Sequence, residues 1–284
     1  MGPRLSPGKP FKQIDVFSGL PGYGNPLALI MEAEGLSQES MQRLANWTNL
    51  SETCFLSRED ETSYRLRIFT PTQELPFAGH PTIGAAHGAV EAGIVDSSKE
   101  FFQVCGLGRL KLRKEGELIW VRVPRPVRIR TGLKPTDLAP ALSGAIPAEP
   151  MVFDAGPVWA VGRLESLAEL RELTIDRDWM MGMEAFKGPA LGLILYAFND
   201  QGGIEVRAFA PAAGVDEDPV CGSGNLVAAA HLEATGGLDH LGRTYLARQG
   251  RNLGRDGRLH LKVLEDGLEL GGQAVTVFEG RARL

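Results

Sequence analysis

The sequence predicts an α+β chain built from two similar halves. Three observations carry this. Short strand-like stretches closed by Gly, Pro and Asn turn signals recur along the chain, while helical periodicity is confined to a few segments. Two of those helical segments are Ala-rich, and each follows a loop of the form acidic-x-Pro-x-x-Gly. The residues flanking these two loops also repeat between the halves.

Phe11 to Phe17 reads as a strand, Gly19 to Asn25 as turn chemistry and Pro26 to Met31 as a second strand. The turn looks superficially like a phosphate loop, but no helix pattern and no Lys-Ser/Thr pair follow it, so a hairpin is the better reading. Ser37 is placed to cap a helix running to about Trp47, with Met41, Leu44 and Ala45 on one face. Strands are expected at Thr53 to Leu56 and Tyr64 to Phe69, then an Ala-rich helix from Ile83 to Val90. Short strands at Gln103 to Val104, Leu110 to Lys114 and Leu118 to Val123 complete the first half.

Arg125 to Pro150 is rich in proline, and the domain boundary is placed there: an N-terminal domain over 1–130 and a C-terminal one over 131–284, whose last strand is free to cross back. The second half opens with strands near Met151 to Phe153 and Val158 to Val161 and a helix from about Ser166 to Leu173. Leu191 to Phe198 and Ile204 to Phe209 read as strands, Gly214 to Gly224 as a loop and Leu226 to Ala234 as a helix. Strands near Tyr245 to Ala247, Leu259 to Val263, Leu268 to Gly271 and Ala274 to Glu279 close the chain.

The repeat is specific. Arg67-Ile68-Phe69-Thr70-Pro71 matches Arg207-Ala208-Phe209-Ala210-Pro211, and Glu74-Leu75-Pro76-Phe77-Ala78-Gly79-His80 matches Glu217-Asp218-Pro219-Val220-Cys221-Gly222-Ser223. A Gly-containing loop at a helix start leaves backbone N–H groups pointing beyond the helix end. Were the two halves to face each other, two such ends would converge on one cleft suited to a small carboxylate. A duplicated fold with two capped helices and no chemistry would carry the same repeat, but these loops hold His80, Asp218 and Cys221 where capping alone would need only a Ser or an Asp.

With 284 residues, 43% hydrophobic and 23% charged, the composition is that of a globular chain and excludes disordered, collagen-like and coiled-coil classes. A net charge of -5 argues against nucleic acid or an anionic membrane as partner. The longest apolar run, near Leu191 to Phe198, is far short of a membrane span. Met1 to Pro10 has basic residues without an apolar stretch behind them, so no secretory signal is read there. The sparse, odd set Cys54, Cys105 and Cys221 reads as free thiols in a cytoplasmic protein.

These residues resemble the PhzF-like family of phenazine-biosynthesis proteins, whose fold is that of diaminopimelate epimerase. The resemblance runs over essentially the whole chain: Asp15-Val16-Phe17 with Gly24-Asn25-Pro26, Asn49-Leu50-Ser51-Glu52-Thr53, Arg67 to Gly84, Asp218 to Ser223, and late in the chain Gln249-Gly250, Gly254-Arg255 and Gly271-Gly272. It implies two pseudo-twofold-related domains, each a curved, mostly antiparallel sheet round a central helix, with the active site between them. It also implies a homodimer. The best-understood member shifts a proton in a dihydro-hydroxyanthranilate to give a ketone, without metal or organic cofactor.

Carried over by position, the resemblance makes Glu52 the acid/base, with His80 and Asp218 as its partners in the site. Ser223, with the amides near Gly79 and Gly222, would bind a substrate carboxylate. Glu52 in an apolar cleft is expected to have a raised pKa and to pass one proton between two substrate carbons. Read without the family, Glu52 is also compatible with a surface loop, His80 and Ser223 with helix caps, and Asp218 with a helix-start acid.

Cys221 departs from the pattern: it stands where the family commonly has Thr and where the epimerases have one of two catalytic cysteines. The matching first-half residue is Ala78, so the second thiol of a two-base racemase is absent. Cys221 is retained as a substrate-contacting candidate, and Cys54 is read as a core strand residue. His87, His231, His240 and His260 lack metal-like spacing, so no metal site is expected. The expected function is a cofactor-independent isomerase of a small carboxylate or amino-carboxylate. The alternatives are an amino-acid epimerase using Cys221 and a non-catalytic carboxylate-binding protein.

Overall fold

The computed structural model describes residues 8–182, 190–211 and 214–284. It divides into two compact units, one of Met1–Arg122 with Gly271–Leu284 and one of Val123–Leu270.

In the first unit, β1 (Lys9–Val16) pairs antiparallel with β2 (Asn25–Ile30) on one side and with the C-terminal strand Ala274–Ala282 on the other. β2 runs parallel to β3 (Thr53–Arg58), and β3 pairs antiparallel with β4 (Ser63–Phe69). β4 takes the short β5 (Glu74–Leu75) antiparallel and β6 (Phe101–Cys105) parallel. β7 (Gly108–Glu115) and β8 (Leu118–Val123) continue antiparallel. Parallel neighbours need a crossover, and each has one: α1 (Gln38–Thr48) joins β2 to β3, and α2 (Gly79–Glu91) lies between β5 and β6.

The two helices are built for different faces. α1 begins at Ser37, whose side chain accepts from the Ser40 amide, and buries one face through Met41 and Ala45 against Ile30, Phe55 and Phe69. α2 is buried nearly all round, from Gly79 to Ala89, as expected of a helix without a polar face. It packs on β1 to β4 and on the C-terminal strand. Gly84 and Gly88 make that approach possible: a Cβ would stand 2.6 Å from Leu27 and 2.4 Å from Leu29, respectively. The helix starts four residues before the Ile83 expected from sequence. Pro81 falls in its first turn, where a missing N–H costs no intrahelical bond.

The second unit repeats this order. β9 (Val127–Ile129) pairs with β10 (Ala148–Asp154), and β10 with β11 (Val158–Arg163), both antiparallel. β11 runs parallel to β12 (Ala190–Phe198), and β12 antiparallel to β13 (Ile204–Ala210). β13 takes β14 (Val215–Asp218) antiparallel and β15 (Thr244–Gln249) parallel, followed by an antiparallel β16 (Gly257–Val263). One face of this sheet is covered by the short helices α3 (Pro135–Leu138), α4 (Leu167–Glu172) and α5 (Arg177–Gly182), through Leu138, Leu170 and Met180 packed with Leu193, Leu195 and Phe209. The buried helix α6 (Gly222–Ala234) packs on β10, β11, β12 and β16. Strands covered on both faces read as unbroken apolar runs, which explains Leu191 to Phe198. The architecture is α+β, in two units of one topology.

Two local expectations are corrected and a third holds. The span read as one loop, 214–224, contains β14 and the start of α6; Val-Asp-Glu-Asp is too acidic to look like a strand, yet it pairs with β13. The prolines of 125–150 admit β9 and α3. The hairpin reading of the early turn holds for a reason not visible in the pattern: Asp15 Oδ2 accepts from the amides of Gly22, Tyr23 and Gly24 at 2.7, 2.9 and 3.0 Å. The nest of N–H groups that looked like a phosphate loop is filled by the chain's own carboxylate.

Candidate active site

In each unit an Arg–Glu fork ties the long central strand to the loop that enters the buried helix. Arg67 of β4 grips Glu74 of β5 through two bonds, at 2.7 and 2.6 Å. Arg207 of β13 grips Glu217 of β14 at 3.0 and 2.8 Å. The glycines that follow the parallel strands pack against the loop prolines: Cβ atoms would fall 2.7 Å from Pro76 at Gly106 and 2.5 Å from the Pro219 carbonyl oxygen at Gly250. The repeat read from sequence is therefore a repeat of contacts.

In the first unit, Asn49 ends α1 in the left-handed region, at φ 54°, and turns the chain into β3, leaving Glu52 at the strand's entry. His80 is the second residue of α2, whose preceding Ala78 makes no side-chain cap. Glu52 Oε2 lies 3.0 Å from His80 Nδ1, with the imidazole 4% exposed. His80 Nε2 is buried and has no hydrogen-bond partner among the described residues. His80 is thus a partner of Glu52 rather than a cap.

Burial is the strongest single influence on Glu52 and pushes its carboxyl up; the hydrogen bond and charge of His80, helped by Ser51, outweigh it and leave the carboxyl below the ordinary glutamate range. The raised pKa expected from an apolar setting is corrected on this point. An adjacent imidazole favours the charged form more than burial penalises it. Cys54, next but one in β3, is fully buried, and burial first, then the Glu52 charge, push its thiol well up. It is a core residue.

In the second unit, Asp218 ends β14, Cys221 precedes α6, and Gly222 and Ser223 open the helix. Asp218 Oδ1 accepts from the Val220 amide at 3.0 Å. The cap of α6 is Cys221, whose Sγ accepts from the Gly224 amide at 3.3 Å, so the capping role considered for Ser223 belongs to the thiol. Ser223 Oγ instead accepts from Trp159 Nε1 at 3.1 Å and lies 3.5 Å from Cys221 Sγ.

Gln249, at the end of β15, holds this loop from both sides. Its Oε1 accepts from the Cys221 amide at 3.0 Å and from Asn225 Nδ2 at 2.8 Å, and its Nε2 donates to the Asp218 carbonyl at 2.9 Å. Sequence reasoning named Gln249 only as part of a motif and missed Trp159 and Asn225. A polar residue buried at a strand end beside Gly250 was the one available signal.

The remaining histidines have structural partners. His231 bonds Tyr196 OH and the Glu149 carbonyl, both at 2.8 Å, and His87 faces Glu91 at 3.1 Å. Among the described residues no cluster of His, Cys, Asp and Glu is arranged to hold a metal ion, and no helix is long and apolar enough to cross a membrane.

The duplicated α+β fold is of the epimerase-like class, and relatives named as isomerases set the chain among the isomerases. The profile of the phenazine biosynthesis-like protein family (PhzC–PhzF) matches residues 14–280, and the chain belongs to that family.

Among its relatives, antisense-enhancing sequence 1 of Schizosaccharomyces pombe is 36% identical over 75% of this chain and 77% of that protein. The trans-2,3-dihydro-3-hydroxyanthranilate isomerase of Pseudomonas aeruginosa is 31% identical over 95% of this chain and 98% of that protein. A PhzF-family structure from Enterococcus faecalis superposes with a TM-score of 0.79 at 26% identity, covering 98% of this chain and 100% of that one. A hydroxyproline epimerase from Agrobacterium vitis shares the fold, with a TM-score of 0.66 at 12% identity over 99% of this chain and 92% of that one.

Proposed function

We propose that this isomerase shifts a proton along a small carboxylate or amino-carboxylate without a cofactor, with Glu52 as the acid/base. The carrying observation is the 3.0 Å contact of Glu52 with His80, whose other ring nitrogen is buried with no partner among the described residues. A depressed carboxyl rests as carboxylate, so Glu52 starts as the base. It takes a proton from one substrate carbon, the double bond moves, and the same carboxyl returns the proton to another carbon. No electrons are gained or lost, and Glu52 ends as it began.

His80 fixes the carboxylate through Nδ1 and presents Nε2 to a substrate amine or hydroxyl. Asp218 takes an amino group; Ser223, Cys221 and the helix-start amides of Gly79 and Gly222 take the carboxylate. The named activity of the Pseudomonas aeruginosa relative supports this substrate class. The free thiols support a cytoplasmic setting, and the family likeness supports a homodimer. Cys221 supports a capping role more than a racemase base, because its sulfur already accepts the Gly224 amide and Ala78 occupies the matching position.

The test is proton NMR in D₂O on dihydro-hydroxyanthranilate, amino acids of both hands and β,γ-unsaturated acids. Deuterium uptake that vanishes in Glu52→Gln supports the reading. Uptake that survives there and is lost in Cys221→Ala overturns it in favour of the epimerase. Saturable binding with no exchange at any carbon points to a binding protein.

A further inference from the structure

Ser223 carries a hydroxyl that, in isolation, is equally able to donate and to accept. Two observations narrow that freedom. The indole N–H of Trp159 is a donor only, and it reaches Ser223 Oγ at 3.1 Å with both residues buried, at 3% and 7% exposure. One lone pair of Ser223 is therefore committed to accepting. The neighbouring sulfur, Cys221 Sγ at 3.5 Å, already accepts the Gly224 amide at 3.3 Å. A thiol sulfur is a weak acceptor, so the hydroxyl proton of Ser223 has a poor resting partner and is ready to move to a better one.

We propose that Trp159 is a positioning residue that sets Ser223 as a hydrogen-bond donor and so makes the second-unit loop select an anionic oxygen. The inference rests on the function proposed above and deepens it. Trp159 donates to Ser223, and Ser223 donates to the carboxylate, in the same sense as the N–H groups at the start of α6. Trp159 lies on β11, which packs directly on α6, so sheet register places the indole independently of the loop's own sequence. A bond to a charged acceptor is stronger than one to a neutral sulfur, which gives the site its preference.

The experiment is a double-mutant cycle on Trp159→Phe and Ser223→Ala, reading the calorimetric Kd for anthranilate at pH 7. Trp159→Phe keeps a buried aromatic ring but removes the donor and some volume, and the packing cost of the lost volume enters both backgrounds of the cycle alike. The expected result is a loss of about 3- to 10-fold in affinity when Ser223 is present, and under about 2-fold in the Ser223→Ala background. Equal losses in both backgrounds make Trp159 a packing residue and overturn the inference, while Glu52-dependent exchange would leave the proposed function standing. No binding of anthranilate to the unaltered protein overturns the inference alone, because the proposed function is judged by the Glu52-dependent exchange. Should Trp159→Phe fail to fold, the Trp159 indole N–H resonance of the unaltered protein serves instead. It should move on anthranilate addition and stay still in Ser223→Ala; movement in both sinks the relay.

Discussion

Glu52 and His80 meet at 3.0 Å although one belongs to the entry of a strand and the other to the first turn of a helix. The contact reverses the effect of burial on Glu52. Above the unfolded-state glutamate pKa, about 4.3, it stabilises the fold, and that contribution fades as pH falls through the depressed folded-state value. In His80→Ala the influence of burial is opposed only by the weaker hydrogen bond of Ser51. The Glu52 carboxyl carbon should then titrate at higher pH than in the unaltered protein, as followed by carbon NMR. An unchanged or lower titration would remove His80 as the controlling partner.

The twin Arg–Glu forks should differ in energetic weight because they differ in burial. Arg207 and Glu217 are 9% and 10% exposed, and Arg207 also donates to the Leu170 and Leu173 carbonyls. Arg67 and Glu74 are 30% and 31% exposed. Arg207→Ala is expected to cost about 3–5 kcal/mol in urea denaturation, since it strands a buried charge. Arg67→Ala is expected to cost roughly 1 kcal/mol.

Gly88 sets propensity against packing. Alanine would improve the helix by about 1 kcal/mol in isolation. Its Cβ would stand 2.4 Å from Leu29 and 3.2 Å from Ile14, both fully buried. Overpacking costs about 1–3 kcal/mol and outweighs the gain. Gly88→Ala should therefore lower the melting temperature, read by circular dichroism, and a rise would show that β1 and β2 yield freely.

Gln249→Leu should damage both stability and turnover. It withdraws the acceptor from the Cys221 amide and the donor from the Asp218 carbonyl. Stranded groups of this kind cost on the order of 3 kcal/mol together. Loosening the loop that carries Asp218, Cys221 and Ser223 should also depress kcat/KM more than it shifts the melting curve. Normal kinetics in a destabilised variant would confine Gln249 to folding.

Much of the fold was legible because it is local. Ser37 caps α1, and apolar spacing marked Met41 and Ala45, since capping and amphipathicity depend on residues within one or two turns. The repeat put His80 and Ser223 at matching helix starts before any contact was known. β14 was not legible, because its pairing with β13 overrides a composition that locally favours a loop.

Sequence by itself determined the duplicated α+β plan and the family, because these rest on residue order and local propensity. Tertiary structure alone decided that Glu52 is held by His80, that Cys221 rather than Ser223 caps α6, and that Trp159 and Gln249, at sequence separations of 64 and 28 from their partners, set the second-unit loop. Such contacts follow from sheet register and burial. A charge or a hydroxyl takes its character from neighbours that only folding brings within 3–4 Å.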